Sequence, residues 1–369
     1  MKRSRTHGVP CCLPLSDWPQ IDRALWQVAL QPADFLEDGG SRAGHAPSSN
    51  QKVVKGYGLW LDWLIRHNLL DPDAQPGSRI TEERVGAYLG SLRNDISTGT
   101  IINRLEDLHA ALRVMDPDRD GSWIRRLISK VHAQHVPAVR KRDRIVSATD
   151  LFELGLELMR RASSKRTALD QAVTYRDGLM ISILSTRPLR LRNLLGLELG
   201  RTFARRGDVW WIDTPGTETK THEAIEMPLP DELTAAIEAY LKDHRPYLCR
   251  RQGRWTAPIG NALWVSQDGS PLRDRSTHQQ LVVRTRAAFG RPVNPHLFRD
   301  CVATSIAVDD PERFQIAARL LGHRGLATVE KYYNQARSIE AIRWHQNLVM
   351  GIRDGTIPVG FDDDAEDIL

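Results

Sequence analysis

Four runs of apolar residues with helical spacing, between Tyr57 and Val131, constrain the fold of this chain more than any other feature. Each run places its apolar side chains three or four positions apart, as an amphipathic helix requires. Thr81 is a candidate N-cap of the second run, and Asp116 and Pro117 end the third. Because each helix must bury its apolar stripe against a neighbour, we expect a small helical domain.

The pattern changes at Pro137. Residues 137–144 (PAVRKRDR) hold few apolar side chains and many positive charges, which favours a basic linker, although a solvated loop fits equally well. Ser147 and Asp150 then resemble a capping box that opens a new helix. Residues 209–213 and 225–227 have the pattern of two short strands around a turn. We therefore predict a mainly α-helical fold with a small β-hairpin or sheet, in two domains.

Charge and missing motifs limit the possible chemistry. The formal net charge of +5 suits a polyanionic partner, although many basic proteins bind none. The sequence contains neither GxxxxGK[ST] nor HExxH, and its four cysteines match neither a disulfide framework nor a zinc site. We expect chemistry by side chains alone, with no metal and no cofactor. Because we find no signal peptide and no membrane-length apolar run, we expect a cytoplasmic protein.

The most informative feature for function is an ordered set of polar residues in the second half of the chain. In chain order the set is Arg190, Lys220, His296, Arg299, His323 and Tyr332. His296 and Arg299 form an HxxR motif. His323 ends a Leu-Gly-His motif, and Tyr332 follows it by nine residues. Each motif alone is common, but the whole set resembles the catalytic signature of the tyrosine recombinases, the phage integrase family, over about residues 50–350.

These residue types also suit phosphodiester chemistry without any metal. Guanidinium groups offer paired donors to phosphate oxygens, which indicates that Arg190 and Arg299 bind the phosphate and that His323 adds a further hydrogen bond. A tyrosine hydroxyl needs a base or a positive field before it can attack. We assign the base role to His296 and the nucleophile role to Tyr332. Lys220, in the predicted turn, is the candidate donor of a proton to the leaving 5′-oxygen.

Several of these assignments have competing interpretations. Arg187 and Arg192 lie near Arg190, and Asn193 stands where the family usually has an acid. Lys220 also fits an ordinary solvated lysine of a turn. His296 and His323 also fit structural roles in helix caps or in the core, and Tyr333 is the alternative to Tyr332. The leucines around Arg190 and the nine-residue spacing from His323 favour the residues assigned above.

The resemblance implies five segments. They are an N-terminal extension of uncertain role (1–48), a helical core-binding domain (49–136), a basic linker (137–147), a catalytic domain (148–352) and an acidic tail (353–369). Phosphate contacts are expected from the linker side chains Arg140, Lys141, Arg142 and Arg144. Base contacts are expected from the start of the third helix, at Thr100, Asn103 and Arg104, with an ordinary polar helix face as the alternative.

The resemblance implies a site-specific DNA recombinase that cuts and rejoins strands through a 3′-phosphotyrosine. Its partner would be double-stranded DNA, bound by a homotetramer on two sites that exchanges the helix at residues 338–350, and its location would be the nucleoid. Two alternatives remain open. One is a nicking and religating enzyme like the type IB topoisomerases, and the other is a non-catalytic DNA-binding module.

Overall fold

The computed structural model describes residues 12–34, 39–93, 95–134, 141–253 and 257–309, together with Gln346, Met350, Arg353 and Asp354. The chain divides into two compact units, Met1–Ala138 and Val139–Leu369. Among the described residues, no helix has both the length and the apolar character that crossing a bilayer requires. The expected architecture is confirmed, because helices dominate both units and one small antiparallel sheet lies in the second.

The first unit is built from helices. Its helices are α1 (Gln20–Leu30), α2 (Pro47–Arg66), α3 (Pro76–Arg79), α4 (Glu82–Leu92), α5 (Thr98–Met115) and α6 (Ser122–Ala133). The four predicted helices correspond to α2, α4, α5 and α6. Thr81 caps α4 as predicted, because the backbone N–H of Arg84 donates to its Oγ1 atom at 3.3 Å. The apolar stripes meet in one core around Trp60, Leu105 and Ile124.

The N-terminal segment, which the sequence analysis set apart as an extension, belongs to this core over its described residues. Trp26 of α1 is 1% exposed. Beneath it the Tyr57 hydroxyl donates to Asp22 at 2.8 Å, and both terminal nitrogens of Arg79 donate to the same carboxylate at 2.7 and 3.0 Å. Helix α2 begins at Pro47. Proline suits the first turn of a helix, where no N–H partner is needed.

The second unit combines seven helices with one sheet in the part that the structure describes. The helices are α7 (Ala148–Ala162), α8 (Ala168–Thr186), α9 (Leu191–Leu195), α10 (Thr234–Ala239), α11 (Arg245–Cys249), α12 (Asp274–Phe289) and α13 (Pro295–Asp309). A π-helical turn, Tyr240–His244, joins α10 to α11. Ser147 caps α7, with the Asp150 N–H donating to its Oγ atom at 2.9 Å. Helix α8 is buried along most of its length and forms the centre of this unit.

The sheet has three antiparallel strands in the order β1 (Phe203–Arg206), β2 (Val209–Thr214) and β3 (Ile225–Pro228). The predicted strands correspond to β2 and β3, and β1 was not predicted. Its sequence, FARR, buries only Phe203 and exposes both arginines, so it lacks the alternation that signals a strand. Phe203 instead stacks on Trp210 of the neighbouring strand, with ring centroids 5.1 Å apart.

Candidate active site

Arg190 lies at the start of α9, where the chain leaves the long buried helix α8. It is the N-cap residue, and its carbonyl oxygen accepts the first helical hydrogen bond, from Leu194 N at 3.0 Å. Leu189 and Leu194 anchor the segment in the core on either side. The Trp264 indole N–H donates to the Leu194 carbonyl at 2.8 Å and holds the other end of this short helix. The backbone that carries Arg190 is therefore fixed while its side chain is half-buried.

The three neighbouring arginines of this segment differ in their partners. Arg187 donates from Nε to the Pro228 carbonyl at 2.7 Å and from Nη1 to the Thr186 carbonyl at 2.9 Å, and burial lowers its pKa. Arg192 is exposed. The Arg190 guanidinium forms no hydrogen bond or ion pair with any residue in the described ranges. Arg187 thus connects the turn to β3, whereas Arg190 has no such partner among the described residues.

The HxxR motif occupies the first turns of α13. Asn294 caps this helix by accepting the Leu297 N–H at 2.9 Å, and Pro295 is its first residue. His296 is exposed, whereas Arg299 is only 6% exposed. The Nη1 atom of Arg299 donates to the carbonyl oxygen of Pro188 at 2.6 Å, two residues before Arg190. The structure therefore brings the HxxR helix against the segment that carries the first arginine.

Asn193, in the same short helix as Arg190, is buried. Its amide nitrogen is fully buried and finds no hydrogen-bond partner among the described residues. An unpaired amide N–H costs less in such a place than an unpaired carboxylate would. The neutral side chain also adds no negative charge beside Arg190, unlike the acid that the family usually has here.

Lys220 lies in the turn between β2 and β3. The neighbouring Thr219 is buried, and its hydroxyl donates to the carbonyl oxygens of Glu223 at 2.8 Å and Gly216 at 3.1 Å. His222 completes the turn with a positive φ of 57°. Lys220 is exposed and makes no hydrogen bond within the described part of the chain. The hydrogen bonds of Thr219 thus hold the backbone of the turn, and the side chain of Lys220 is exposed.

The remaining predicted residues fall in less fully described places. His323, Tyr332 and Arg140 lie outside the described residues. Lys141 and Arg142 begin a single 3-10 turn, Lys141–Arg144, of which only the backbone is described at these two positions. Arg144 has an intramolecular partner, because Nε and Nη2 both donate to the carbonyl oxygen of Pro292, at 2.9 and 2.7 Å.

The residues predicted to contact bases at the start of α5 have partners within their own unit, although Asn103 is exposed. Thr100 pairs with the capping Ser97 hydroxyl at 2.9 Å. The Asn103 amide donates to the Gly99 carbonyl at 3.0 Å. Arg104 lies beside Tyr88, whose pKa is raised by burial and partly lowered again by this arginine. Their role as base contacts stays a prediction.

A groove between α4 and α6, which the sequence analysis did not identify, offers a more open cationic surface. It has a volume of about 680 Å³ and is lined by Glu82, Gly86, Leu89, Gly90, Arg93, Trp123, Arg126, Leu127 and Lys130. A Cβ atom on either glycine would meet nothing within 4 Å, so the floor of the groove is bare backbone. Trp123 belongs to the apolar pattern that predicts this helix, whereas Arg126 and Lys130 fit an ordinary polar helix face, which helical periodicity does not distinguish from a binding surface.

The cations of this groove differ in their ion pairing from the arginines at the β-sheet of the second unit. At the sheet, Arg205 and Arg206 of β1 and Arg201 in the turn before it all pair with carboxylates; Arg201 and Arg205 do so through 2.7 Å contacts to Glu218 and Glu238. In the groove, the Arg93 and Lys130 side chains form no hydrogen bond or ion pair with described residues. Among the described residues, Arg126 donates to the Ser122 hydroxyl, at 3.0 Å, and forms no ion pair. The charge of the groove is therefore less compensated than that of the sheet.

Comparison with known proteins places the second unit in one family. Residues 157–338 match the phage integrase family. Tyrosine recombinase XerC of Azotobacter vinelandii is 28% identical over 165 residues, which cover 44% of this chain and 49% of that protein. Tyrosine recombinase XerD of Pseudomonas putida is 26% identical over 171 residues, covering 46% and 53%. The chain thus spans about half the length of these relatives.

Two solved structures share the fold at low sequence identity. XerH site-specific recombinase bound to difH substrate, in a pre-cleavage complex, aligns with a TM-score of 0.52 at 17% identity, over 80% of this chain and 79% of that one. The Tn1549 transposon integrase, in complex with circular intermediate DNA, aligns with a TM-score of 0.51 at 14% identity, over 87% and 98%. The family match contains the HxxR motif together with Arg190 and Tyr332, and residues 157–338 therefore belong to the phage integrase family of tyrosine recombinases.

Proposed function

We propose that this protein is a site-specific DNA recombinase that cuts and rejoins DNA through a covalent 3′-phosphotyrosine at Tyr332, without metal or ATP. The observation that carries the proposal is the hydrogen bond from Arg299 to the Pro188 carbonyl. It holds the HxxR helix beside the segment that presents Arg190. Two guanidinium groups on adjoining, rigidly held segments suit a phosphodiester, whose transition state accumulates negative charge on its non-bridging oxygens.

Charge around the two arginines supports this assignment. Arg190 forms no ion pair with described residues, so phosphate binding would not first require an acid to be displaced. Arg187, two residues before Leu189, is already bonded to backbone carbonyls and is less suited to bind a ligand. Preorganised donors of this kind stabilise developing charge because they need little rearrangement during the reaction.

The proton transfers can be assigned to the remaining residues. The Tyr332 oxygen attacks phosphorus and passes its proton to His296, which is exposed on the first turn of α13. The bond between phosphorus and the 5′-oxygen breaks, and Lys220 supplies the proton that the leaving oxygen takes. His323 donates a hydrogen bond to the phosphate. A 5′-hydroxyl of another strand then attacks the phosphotyrosine and releases Tyr332, so no external energy source is needed.

Double-stranded DNA is the proposed partner, and the α4–α6 groove is the part of the first unit best suited to bind it. Arg93, Arg126 and Lys130 supply positive charge, and Trp123 supplies a flat apolar surface. The linker cations Arg140, Lys141 and Arg142 remain proposed phosphate contacts. A homotetramer on two DNA sites, with exchange of the segment at residues 338–350, and association with the nucleoid complete the proposal.

A nicked suicide substrate, made from the DNA that flanks the gene, tests the proposal. The wild-type protein should form a covalent complex that survives denaturing electrophoresis. Tyr332→Phe should form none, while Tyr333→Phe keeps the complex and serves as the matched control. A covalent complex with Tyr332→Phe would reject this nucleophile, and no complex with the wild-type protein would reject the proposed function.

A further inference from the structure

The last part of the predicted linker and the residue after it run along α13, the helix that carries His296 and Arg299. The Val146 N–H donates to Cys301 Sγ at 3.4 Å, and the Ala148 N–H donates to Ser305 Oγ at 2.8 Å. Cys301 and Ser305 are four residues apart and so lie on one face of the helix. Residues 143–148, called the strap below, therefore follow this face of α13.

The strongest contact of the strap lies at the start of α13. Arg144 is half-buried, and its Nε and Nη2 atoms both donate hydrogen bonds to the carbonyl oxygen of Pro292, at 2.9 and 2.7 Å. In the opposite direction Arg291 Nη1 donates to the Asp143 carbonyl at 3.3 Å. Asp143 and Arg144 of the strap are thus hydrogen-bonded to Arg291 and Pro292 of the loop that precedes α13. Hydrogen bonds from a charged donor are stronger than those between neutral groups.

The loop that Arg144 holds has little freedom of its own. Gly290 ends α12 in the left-handed region at φ 69°, a conformation that favours glycine. Pro292 and Pro295 have fixed φ angles. Between them Val293 is fully buried, and its N–H donates to the Thr285 hydroxyl at 2.9 Å. A displacement of Pro292 would therefore pass to α13 rather than be absorbed by the loop.

A short series of bonds links Arg144 to the proposed phosphate site. Pro292 lies two residues before Asn294, the cap of α13, and four before His296. Farther along the same helix, Arg299 donates to the Pro188 carbonyl at 2.6 Å, beside Arg190. The start of α13 is thus held from the strap on one side and from the α8–α9 turn on the other.

We infer that Arg144 is a positioning residue of the active site, which fixes the start of α13 and, through it, His296 and Arg299. The inference rests on the proposed recombinase function. It assigns Arg144 a role different from the phosphate contact expected from its basic surroundings. Reaction rates depend steeply on such placement, because an error of about 1 Å can cost on the order of 100-fold.

The two roles predict opposite effects in DNA cleavage and DNA binding. With Arg144→Ala, we expect single-turnover cleavage of the suicide substrate at saturating DNA to fall by about 10- to 100-fold. The Kd for DNA and its salt dependence should stay close to those of the wild-type protein. A phosphate contact would instead weaken binding and reduce the salt slope by about 1. That result, with cleavage at saturation unchanged, would overturn the inference.

Two further variants control for charge and geometry. Arg144→Lys keeps the charge and one donor group but lacks the planar fork, so its cleavage rate should lie between those of Arg144→Ala and the wild type. Arg250→Ala removes an exposed arginine of the same unit that is bonded to no described side chain, and it should cleave normally. Equal loss in Arg144→Ala and Arg250→Ala would contradict a specific role.

Hydrogen exchange gives a readout that does not depend on activity. The Leu297 amide, which donates to Asn294, should exchange faster in Arg144→Ala, while amides of α8 exchange as in the wild type. Faster exchange throughout the unit would indicate general unfolding and count against a positioning role. If the wild-type protein failed to cleave DNA, the proposed function would be rejected, yet this comparison would still test the link between Arg144 and α13.

Discussion

Arg299 and Pro188, which are 111 residues apart in the chain, are joined by a 2.6 Å hydrogen bond from the guanidinium to the carbonyl oxygen. Pro188 has no N–H and a restricted backbone, so the carbonyl is presented in a fixed direction. Only part of the guanidinium is needed for this bond, because arginine carries five N–H donors. The contact therefore orients Arg299 toward the segment that carries Arg190.

We predict that Arg299→Lys cleaves DNA about 100- to 1000-fold more slowly than the wild-type protein. Lysine has one ammonium group in place of the planar fork of donors of arginine, so it cannot bond the Pro188 carbonyl and a phosphate oxygen with the same geometry. The rate should be measured in single turnover on a nicked suicide substrate at saturating DNA. Arg192→Lys, at an exposed position in α9, is the matched control and should fall far less. Wild-type cleavage by Arg299→Lys would contradict the assigned role.

The α4–α6 groove should contribute to DNA affinity without affecting the chemical step. We predict that Arg93→Ala and Lys130→Ala each weaken binding to duplexes of any sequence and reduce the slope of log K against log salt by about 1. Titrations by fluorescence anisotropy at several salt concentrations would measure both quantities. Cleavage at saturating DNA should be unchanged.

Arg206→Ala is the control for the groove. Arg206 has the same charge but pairs with Glu226 and Asp213 on the sheet, so its loss should change the salt slope less than the loss of Lys130. If Arg206→Ala and Lys130→Ala gave equal slopes, uncompensated charge in the groove would not explain DNA binding.

Local sequence patterns predicted much of the fold, and contacts between distant residues account for most of what they missed. The spacing of apolar residues predicted the helices α2, α4, α5 and α6, because the apolar stripe of an amphipathic helix is formed by residues only three or four positions apart. The packing of α1 into the core involves contacts between distant residues, among them the bond between Asp22 and Arg79, which lie 57 residues apart. No local pattern records such a pair.

The same distinction applies to the site. Motif spacing identified Arg190 and Arg299 without any knowledge of the bond that connects their segments. The sequence around Arg144 indicates a linker cation, because its partner, Pro292, is 148 residues away and no local pattern reveals it. The cations of α6 lie on the polar face of an amphipathic helix, and helical periodicity does not distinguish such a face from a binding surface.

The buried ion pair between Asp22 and Arg79 should be important for the stability of the first unit. Their side chains are 0% and 1% exposed. Removing one partner leaves the other charge buried and unpaired, so we predict that Asp22→Ala lowers the free energy of unfolding of this unit by about 3–5 kcal/mol. Urea denaturation followed by tryptophan fluorescence would measure it.

An exposed ion pair in the same unit provides the comparison. Lys52 and Glu106 are 52% and 47% exposed and 3.6 Å apart. Glu106→Ala should therefore change the free energy of unfolding by no more than about 1 kcal/mol. If Asp22→Ala and Glu106→Ala lowered the free energy of unfolding by similar amounts, burial of the Asp22–Arg79 pair would not increase its contribution to stability.

Asp268 should make the stability of the second unit depend on pH in the acid range. Hydrogen bonds from Ser266 and Ser270 lower the pKa of its carboxyl to about 2, and in the unfolded chain it should be about 3.9. Since the folded pKa is the lower one, the stabilisation is complete above the unfolded value and is lost as pH falls from about 4 to about 2. Because the carboxylate is exposed, solvent screening keeps the effect modest.

Asp268→Asn should consequently reduce stability at pH 7 and flatten the fall in stability between about pH 4 and about pH 2. Urea unfolding across this range, followed by a probe in the second unit, measures the slope directly. Ser270→Ala removes one hydroxyl donor, at 2.7 Å, and should give a smaller change of the same sign. Parallel pH profiles for Asp268→Asn and the wild-type protein would mean that these hydrogen bonds do not hold the carboxylate in its charged form.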